Sequence, residues 1–351
     1  FEVRVVLVLS IFVWKISLSL LDWWNYVGAI RMKFFKYLSI FALAAFCFFP
    51  VEAQMSNNPP EVGEKIRAMG AKLNRGIIVG TSKLYAPLLK KMPRNGVRVI
   101  KDQAYGSHER HKLDVYQPSN SAGAVPVVVY VHGGGFIRGD KKGAANIGTY
   151  FARNGLVSIA ANYRLAPKNK WPSGAEDIAS MIKWIKSEGV RFGINANKIF
   201  LMGSSAGAAH VAGYVFFEEY QIKDDGVAGA ILSSMPSFDL TKKLTSEGVL
   251  SHPGERGYFG ADVSKYAGIS PASAIKGRKV PLYIGYAELD MPMVHNQVMM
   301  LINAVYERDK MLPAVKQVIG HNHISIIRHI NTKDQSYGPD LVDFIKSNWG
   351  E

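Results

Sequence analysis

The stretch Lys198-Ile199-Phe200-Leu201-Met202-Gly203-Ser204-Ser205-Ala206-Gly207 runs an apolar segment directly into G-x-S-x-G, and a helical pattern over Ala206–Phe217 follows at once. A strand that turns into a helix this abruptly needs small residues on both sides of the central serine. Such a turn lifts the Ser205 hydroxyl clear of the sheet, with a helix N-terminus behind it. G-x-S-x-G alone occurs by chance in many chains, and the strand–turn–helix context is what gives it weight here. Ser204 also carries a hydroxyl but is not centred between the glycines.

Outward from this turn, short β-branched runs alternate with helical stretches. The pattern predicts strands at Val97–Ile100, Leu113–Tyr116, Val125–Val131, Leu156–Ala161, Ile199–Met202, Ala228–Leu232, Pro281–Tyr286 and Ala314–Val318. The runs near Val127 and Ile199 are continuously apolar, as parallel strands buried on both faces should be. Helices are predicted over Ala175–Lys186, Ala206–Phe217, Val294–Tyr306 and Leu341–Ser347. Strand–helix alternation of this length implies one doubly wound α/β domain. Two segments break the alternation. Residues 58–93 are amphipathic and helical, whereas residues 234–278 are rich in Ser, Gly and Lys without a clear strand. Either could lie over the carboxyl edge of the sheet, where open α/β folds bind ligands.

Three further motifs carry chemistry. His132-Gly133-Gly134-Gly135-Phe136 follows the most apolar strand, and consecutive glycines expose backbone N–H groups that can hold an oxyanion, each worth roughly 2.7–4 kcal/mol. Glu288 and Asp290 stand where a late strand gives out, the place for an acid that orients a histidine, and Asp290 is preferred over Glu288. An N-cap role for that aspartate is compatible with the same position. The base is read as His323 in Gly320-His321-Asn322-His323. A His-x-His metal edge is the competing reading, but no third ligand follows at the spacing usual for zinc.

The averages conceal a break in composition. Of the first 53 residues, 38 are apolar, against 48% for the whole chain of 351. From Met32, the lysines 33 and 36, the apolar run Tyr37–Phe49 and Val51-Glu52-Ala53 have the layout of a secretory signal peptide over 32–53. Residues 1–31 read as an upstream extension of the reading frame, with a membrane anchor as the rival. A secreted or periplasmic protein is therefore expected, membrane-anchored if the head is retained. Residues 54–96 are expected to form a small helical cap and 97–351 the catalytic domain. The single cysteine, Cys47, excludes an intramolecular disulfide framework and a cysteine-based zinc site. The net charge of +14 permits an acidic partner, but the Lys and Arg are dispersed and no nucleic-acid recognition motif accompanies them. No nucleic-acid partner is expected, nor a stable membrane partner once the head is cleaved.

Over about residues 97–350 the chain resembles the α/β-hydrolase esterases of the hormone-sensitive-lipase type and the neighbouring feruloyl-esterase/arylformamidase-like group. The resemblance rests on His132–Phe136, Gly139-Asp140-Lys141, Tyr163-Arg164-Leu165-Ala166-Pro167, Trp171-Pro172 with Asp177, Gly203–Gly207, Tyr258-Phe259-Gly260, Ser270-Pro271, Glu288–Asp290 and Gly320–His323. It implies an α/β-hydrolase fold, a mostly parallel central sheet flanked by helices. By position it makes Ser205 the nucleophile, Asp290 the orienting acid and His323 the base, in the chain order of that fold. Gly134, Gly135 and Ala206 become the oxyanion donors. It implies hydrolysis of short-chain acyl or small aromatic esters through an acyl-enzyme, with a small-molecule ester as partner and without cofactor or metal. Arylformamidase and feruloyl or acetylxylan esterase are the alternatives, and a non-catalytic binding protein on the same fold is a more distant one. Two departures stand out. Asn162 replaces the aspartate common before Y-R-L-A-P, and Ser204 with Ala208 replaces the usual Asp and Gly around S-A-G.

Overall fold

The computed structural model describes residues 57–120 and 123–349, so the expected extension 1–31 and signal peptide 32–53 lie outside the described residues. Eight strands among the described residues build one sheet: β1 (Val97–Ala104), β2 (Lys112–Pro118), β3 (Val125–Val131), β4 (Val157–Ala161), β5 (Ile194–Ser204), β6 (Val227–Ser233), β7 (Leu282–Leu289) and β8 (Ala314–Asn322). Their order is β1-β2-β4-β3-β5-β6-β7-β8. Only β2 runs against its neighbours, pairing antiparallel with β1 and β4, and the other five pairings are parallel. This is the mostly parallel, helix-flanked sheet that the α/β-hydrolase resemblance implies.

The helices are α1 (Pro60–Met69), α2 (Arg75–Lys90), α3 (Ala145–Arg153), α4 (Ser173–Glu188), α5 (Ala206–Phe216), α6 (Pro253–Phe259), α7 (Pro292–Asp309) and α8 (Gly338–Ser347), besides single turns. Alternation along each strand divides the core into two layers. Val127, Val129 and Val131 of β3 pack with Ile182 of α4, Val211 of α5 and Leu301 of α7. The intervening Val128 and Tyr130 pack with Phe151 of α3 and Ile345 of α8. Burial of β3 and β5 on both faces is why those strands read as unbroken apolar runs.

Helix α3 has no counterpart in the periodicity reading. Its sequence, A-N-I-G-T-Y-F-A-R, holds several weak helix formers, and tertiary contacts account for them. A Cβ on Gly148 would collide with the Tyr116 ring. The Asn146 amide donates to the carbonyls of Ile327 (2.8 Å) and Ile330 (3.0 Å). The segment 54–96 contains α1 and α2, with Thr81 and Tyr85 buried on the inner side of α2. Within 234–278 the described residues form α6 and short turns but no strand.

His210 on α5 is fully buried among Phe136, Tyr163 and Tyr258, each edge-on to its ring at 4.5–5.2 Å, and neither ring nitrogen has a hydrogen-bond partner. Burial pushes its pKa from 6.5 down to about 3. The unfolded chain therefore takes up a proton that the folded chain refuses. The stability from the neutral ring is complete above pH 6.5 and is lost as pH falls from 6.5 towards 3, at up to about 1.4 kcal/mol per pH unit. Buried His329, also near 3, acts in the same direction. We expect His210→Phe to shrink, without abolishing, the loss of urea midpoint between pH 7 and pH 5. Equal losses in variant and wild type would refute this account.

Candidate active site

The turn between β5 and α5 holds Ser205 at φ 53° and ψ −123°, a conformation a non-glycine residue adopts only under constraint from its surroundings. The constraint comes from close backbone approach. A Cβ on Gly207 would run into the Val131 carbonyl oxygen, and one on Gly203 would meet the backbone of Gly207. The Ser205 N–H donates to the Ser233 carbonyl at 2.9 Å, which fastens the turn to the end of β6. Ser204 points elsewhere: its hydroxyl is paired with the Tyr130 hydroxyl at 2.7 Å in the core, so it does not compete as nucleophile.

Parallel strands bring their carboxyl ends to one edge, and Asp290 and His323 arrive at that edge from β7 and β8. His323 Nε2 lies 2.8 Å from Ser205 Oγ, and its Nδ1 lies 2.5 Å from Asp290 Oδ1. Because the carboxylate can only accept, Nδ1 carries the proton and Nε2 is free to receive the serine proton. Asp290 is 0% exposed, and its Oδ2 accepts from Ser234 Oγ at 2.6 Å and from the Ala287 N–H at 2.9 Å. Glu288 is used differently, since its Oε2 accepts from the Gly320 N–H at 2.6 Å and ties β7 to the last residues of β8. The geometry thus chooses Asp290 over Glu288 as the histidine's partner.

The glycine loop after β3 meets the serine from the other side. A Cβ on Gly133 would lie 3.0 Å from Ser205 Cβ. Gly134 and Gly135 have φ of 139° and 59°, accessible to glycine at little cost. Ala206 is the first residue of α5, where an N–H has no intrahelical acceptor. Gly134, Gly135 and Ala206, the three expected donors, line the same cavity as Ser205. His132 is structural rather than metal-ligating here. It stacks on Tyr163 at 4.4 Å, Nδ1 lies 2.7 Å from the Gly133 carbonyl, and burial holds it at about 4, hence neutral.

Arg110, which stands in no motif, and several motif residues to which the sequence assigns no role hold this loop in place. Tyr163 donates its hydroxyl to the His132 carbonyl at 2.9 Å. Arg110 donates to the carbonyls of Tyr163 and Gly139 at 2.7 and 3.0 Å. Asn162, one of the two departures, accepts from the Lys141 N–H at 2.6 Å and donates to Asp140 at 3.1 Å. A carboxylate there could accept but not donate, so the asparagine suits an arrangement that faces Asp140. The Lys141 ammonium is buried between Asp114 (2.5 Å) and Asp102 (2.7 Å). On the histidine side, Asn322 Oδ1 accepts from the N–H groups of Ile324 and Ser325, while its amide donates to Thr81 of α2 at 3.0 Å. Asn322 could have been found as an Asx turn beside the histidine, whereas Ser234 and Thr81 sit in no motif. A cavity of about 570 Å³ opens over Ser205, lined by apolar Ile78, Met291, Met293 and Ile327 and by the cationic Arg138 and Arg328.

Known proteins resemble this chain in sequence and in fold. The isoprenylcysteine alpha-carbonyl methylesterase of Arabidopsis thaliana is 29% identical over 164 residues, covering 46% of this chain and 38% of that protein. The phenmedipham hydrolase of Pseudarthrobacter oxydans is 35% identical over 114 residues, 28% of this chain and 22% of that protein. The chain thus spans about two fifths or less of these relatives. Among solved structures, a bacterial heroin esterase superimposes with a TM-score of 0.63 at 21% identity, covering 84% of this chain and 98% of its own. Esterase B from Lactobacillus rhamnosis gives 0.63 at 18%, covering 82% and 96%. The BD-FAE family matches residues 113–304, more than half of the sequence, from β2 into α7 and including the glycine loop, Ser205 and Asp290, and the chain belongs to that family.

Proposed function

We propose that this protein is a serine-dependent carboxylic-ester hydrolase that acts on short-chain acyl or small aromatic esters through an acyl-enzyme. One observation carries the reading: an unbroken hydrogen-bonded relay from Ser205 Oγ through His323 to a buried Asp290. As Ser205 Oγ attacks the ester carbonyl, His323 Nε2 takes its proton, and the imidazolium is stabilised by Asp290. The tetrahedral oxygen is held by the N–H groups of Gly134, Gly135 and Ala206. Collapse expels the alcohol, protonated by His323. A water activated by the same imidazole then releases the acid and restores Ser205. Every proton moves between Ser205, His323, the substrate and water, so the cycle balances without a cofactor. The methylesterase name of the Arabidopsis relative supports this reaction class, and a cavity of about 570 Å³ over Ser205 is large enough to admit a small-molecule ester. The signal-like segment 32–53 supports a secreted or periplasmic location.

Ser205→Ala is expected to lower turnover of p-nitrophenyl butyrate by roughly 10⁴- to 10⁶-fold while circular dichroism stays unchanged; near-wild-type turnover would refute the assignment. The two acids separate in the same assay. Asp290→Asn should cost about 10⁴-fold in kcat by favouring the wrong imidazole tautomer. Glu288→Gln, which keeps an acceptor for the Gly320 N–H, should cost about tenfold or less, and a reversal of that ranking would move the acid to Glu288. Across p-nitrophenyl esters of rising acyl length, kcat/KM should peak at acetate to butyrate and fall beyond medium chains. A maximum at palmitate would replace the short-ester reading with a lipase one and leave the serine mechanism standing.

A further inference from the structure

Beneath the loop that carries His323 lies a second cluster of ligand-type side chains which the acyl-transfer mechanism does not use. His321 ends β8, His329 follows the single helical turn Ser325–Arg328, and Asp334 stands in the loop before α8. All three are buried, at 0%, 0% and 3% exposure, and one ligand atom from each lies within 4.8 Å of the others. The sequence reading set a metal edge aside because it looked for a third ligand along the chain from His321 and His323. The fold pairs His321 with His329 instead, their rings 4.0 Å apart, and brings Asp334 in as the third.

We propose that His321 Nε2, His329 Nε2 and Asp334 Oδ2, completed by the Ser336 hydroxyl, form a structural site for a divalent transition metal, zinc by its donor set. Three separations are given directly by the structure. His321 Nε2 to Asp334 Oδ2 is 3.1 Å, and Ser336 Oγ lies 3.4 Å from each of the two Nε2 atoms. Ligands about 2.0–2.1 Å from a tetrahedral zinc are themselves about 3.3 Å apart, close to these three separations, and binding would also require the two imidazole rings, 4.0 Å apart, to splay so that both lone pairs converge on the ion.

The atoms facing away from the cluster are fixed in the manner of a metal site's outer shell. His329 Nδ1 lies 2.9 Å from the Ser325 carbonyl and must donate to it, which leaves a lone pair on Nε2. In the metal-free protein His321 Nε2 donates to Asp334 Oδ2, so an ion takes the place of that proton and the imidazole keeps its N–H on Nδ1, 3.1 Å from the Ser325 hydroxyl, whose own proton points to the Asn322 carbonyl. Asp334 Oδ1 accepts from the Ser336 N–H at 2.9 Å, which turns Oδ2 inward. One residue, Ser325, thus orients both imidazoles, and orientation of ligands by such partners is the usual companion of metal binding. The two imidazoles are borderline ligands that suit zinc better than magnesium or calcium, and the carboxylate and hydroxyl oxygens are compatible with it. Bound there, the ion would clamp the end of β8 to the loop before α8 and so brace the segment bearing His323. It would touch neither Ser205 nor substrate.

The test uses the full chain as Ser205→Ala, so that its outcome does not depend on esterase activity. Protein is refolded with zinc chloride or with EDTA, desalted, and assayed for metal and thermal stability. We expect about one zinc per chain, a melting temperature several degrees higher in the zinc sample, and visible d–d absorption of a tetrahedral ion when cobalt replaces zinc. His329→Gln and Asp334→Asn should each lose the metal. If either fails to fold, the zinc-versus-EDTA comparison on the parent chain still decides. Zinc lost on desalting with no difference in melting temperature, or zinc retained in both variants, would overturn the proposal and leave the cluster a hydrogen-bonded brace.

Discussion

The site depends on how closely helix α5 approaches the end of β3. Gly207 sits against the Val131 and His132 carbonyls with no room for a side chain, and this contact forces the abrupt turn that puts Ser205 at φ 53°. Holding a serine there costs of order 1–3 kcal/mol, and that cost is offset by the buried surface of β3, β5 and α5 on either side. The same contact places Ser205 beside the glycine loop, because that loop begins where β3 ends. The proposed nucleophile and the proposed oxyanion donors are therefore positioned by a single packing constraint.

The sheet supplies the rest by register. Gly203 pairs with Val131 on one side and with Leu232 on the other, so β3, β5 and β6 end at the same level. β7 and β8 continue that edge and deliver Asp290 and His323 from separations of 85 and 118 residues along the chain. Hydrogen bonds then take over from hydrophobic packing at the edge itself. Tyr163, Asn162 and Arg110 hold the glycine loop, while Asn322 with Thr81 holds the histidine loop. Lys141 is buried only because Asp102 and Asp114 flank it. Such a network is rigid when fully satisfied, and rigidity is what a reaction reliant on preorganised donors requires.

Much of this was legible in the sequence. All eight strands lie where alternating or continuous apolar runs place them, though most extend a few residues further, since neighbouring strands keep the ladder going past the apolar core. Helix α3 was missed because Asn146, Gly148 and Thr149 are poor local helix formers whose reasons are tertiary: an amide bound to distant carbonyls and a glycine under a tyrosine ring. The choice between Glu288 and Asp290 stayed open because both stand near a strand end two residues apart. Only the three-dimensional path of the chain after Leu289 turns one carboxylate to the histidine and the other to a backbone N–H.

What the sequence determined by itself is local: a strand–serine–helix turn, a glycine loop after an apolar strand, and an acid and a histidine after late strands, each dictated by short-range sterics and periodicity. What tertiary structure decided is which of several equivalent groups meet. It pairs His321 with His329 and Asp334 while sending His323 alone to Ser205, it buries Ser204 against Tyr130, and it calls on Ser234 to steady Asp290. Those outcomes turn on which donors and acceptors the folded backbone brings within about 3 Å of one another. Hydrogen bonding discriminates at that scale, and a linear pattern carries no record of it.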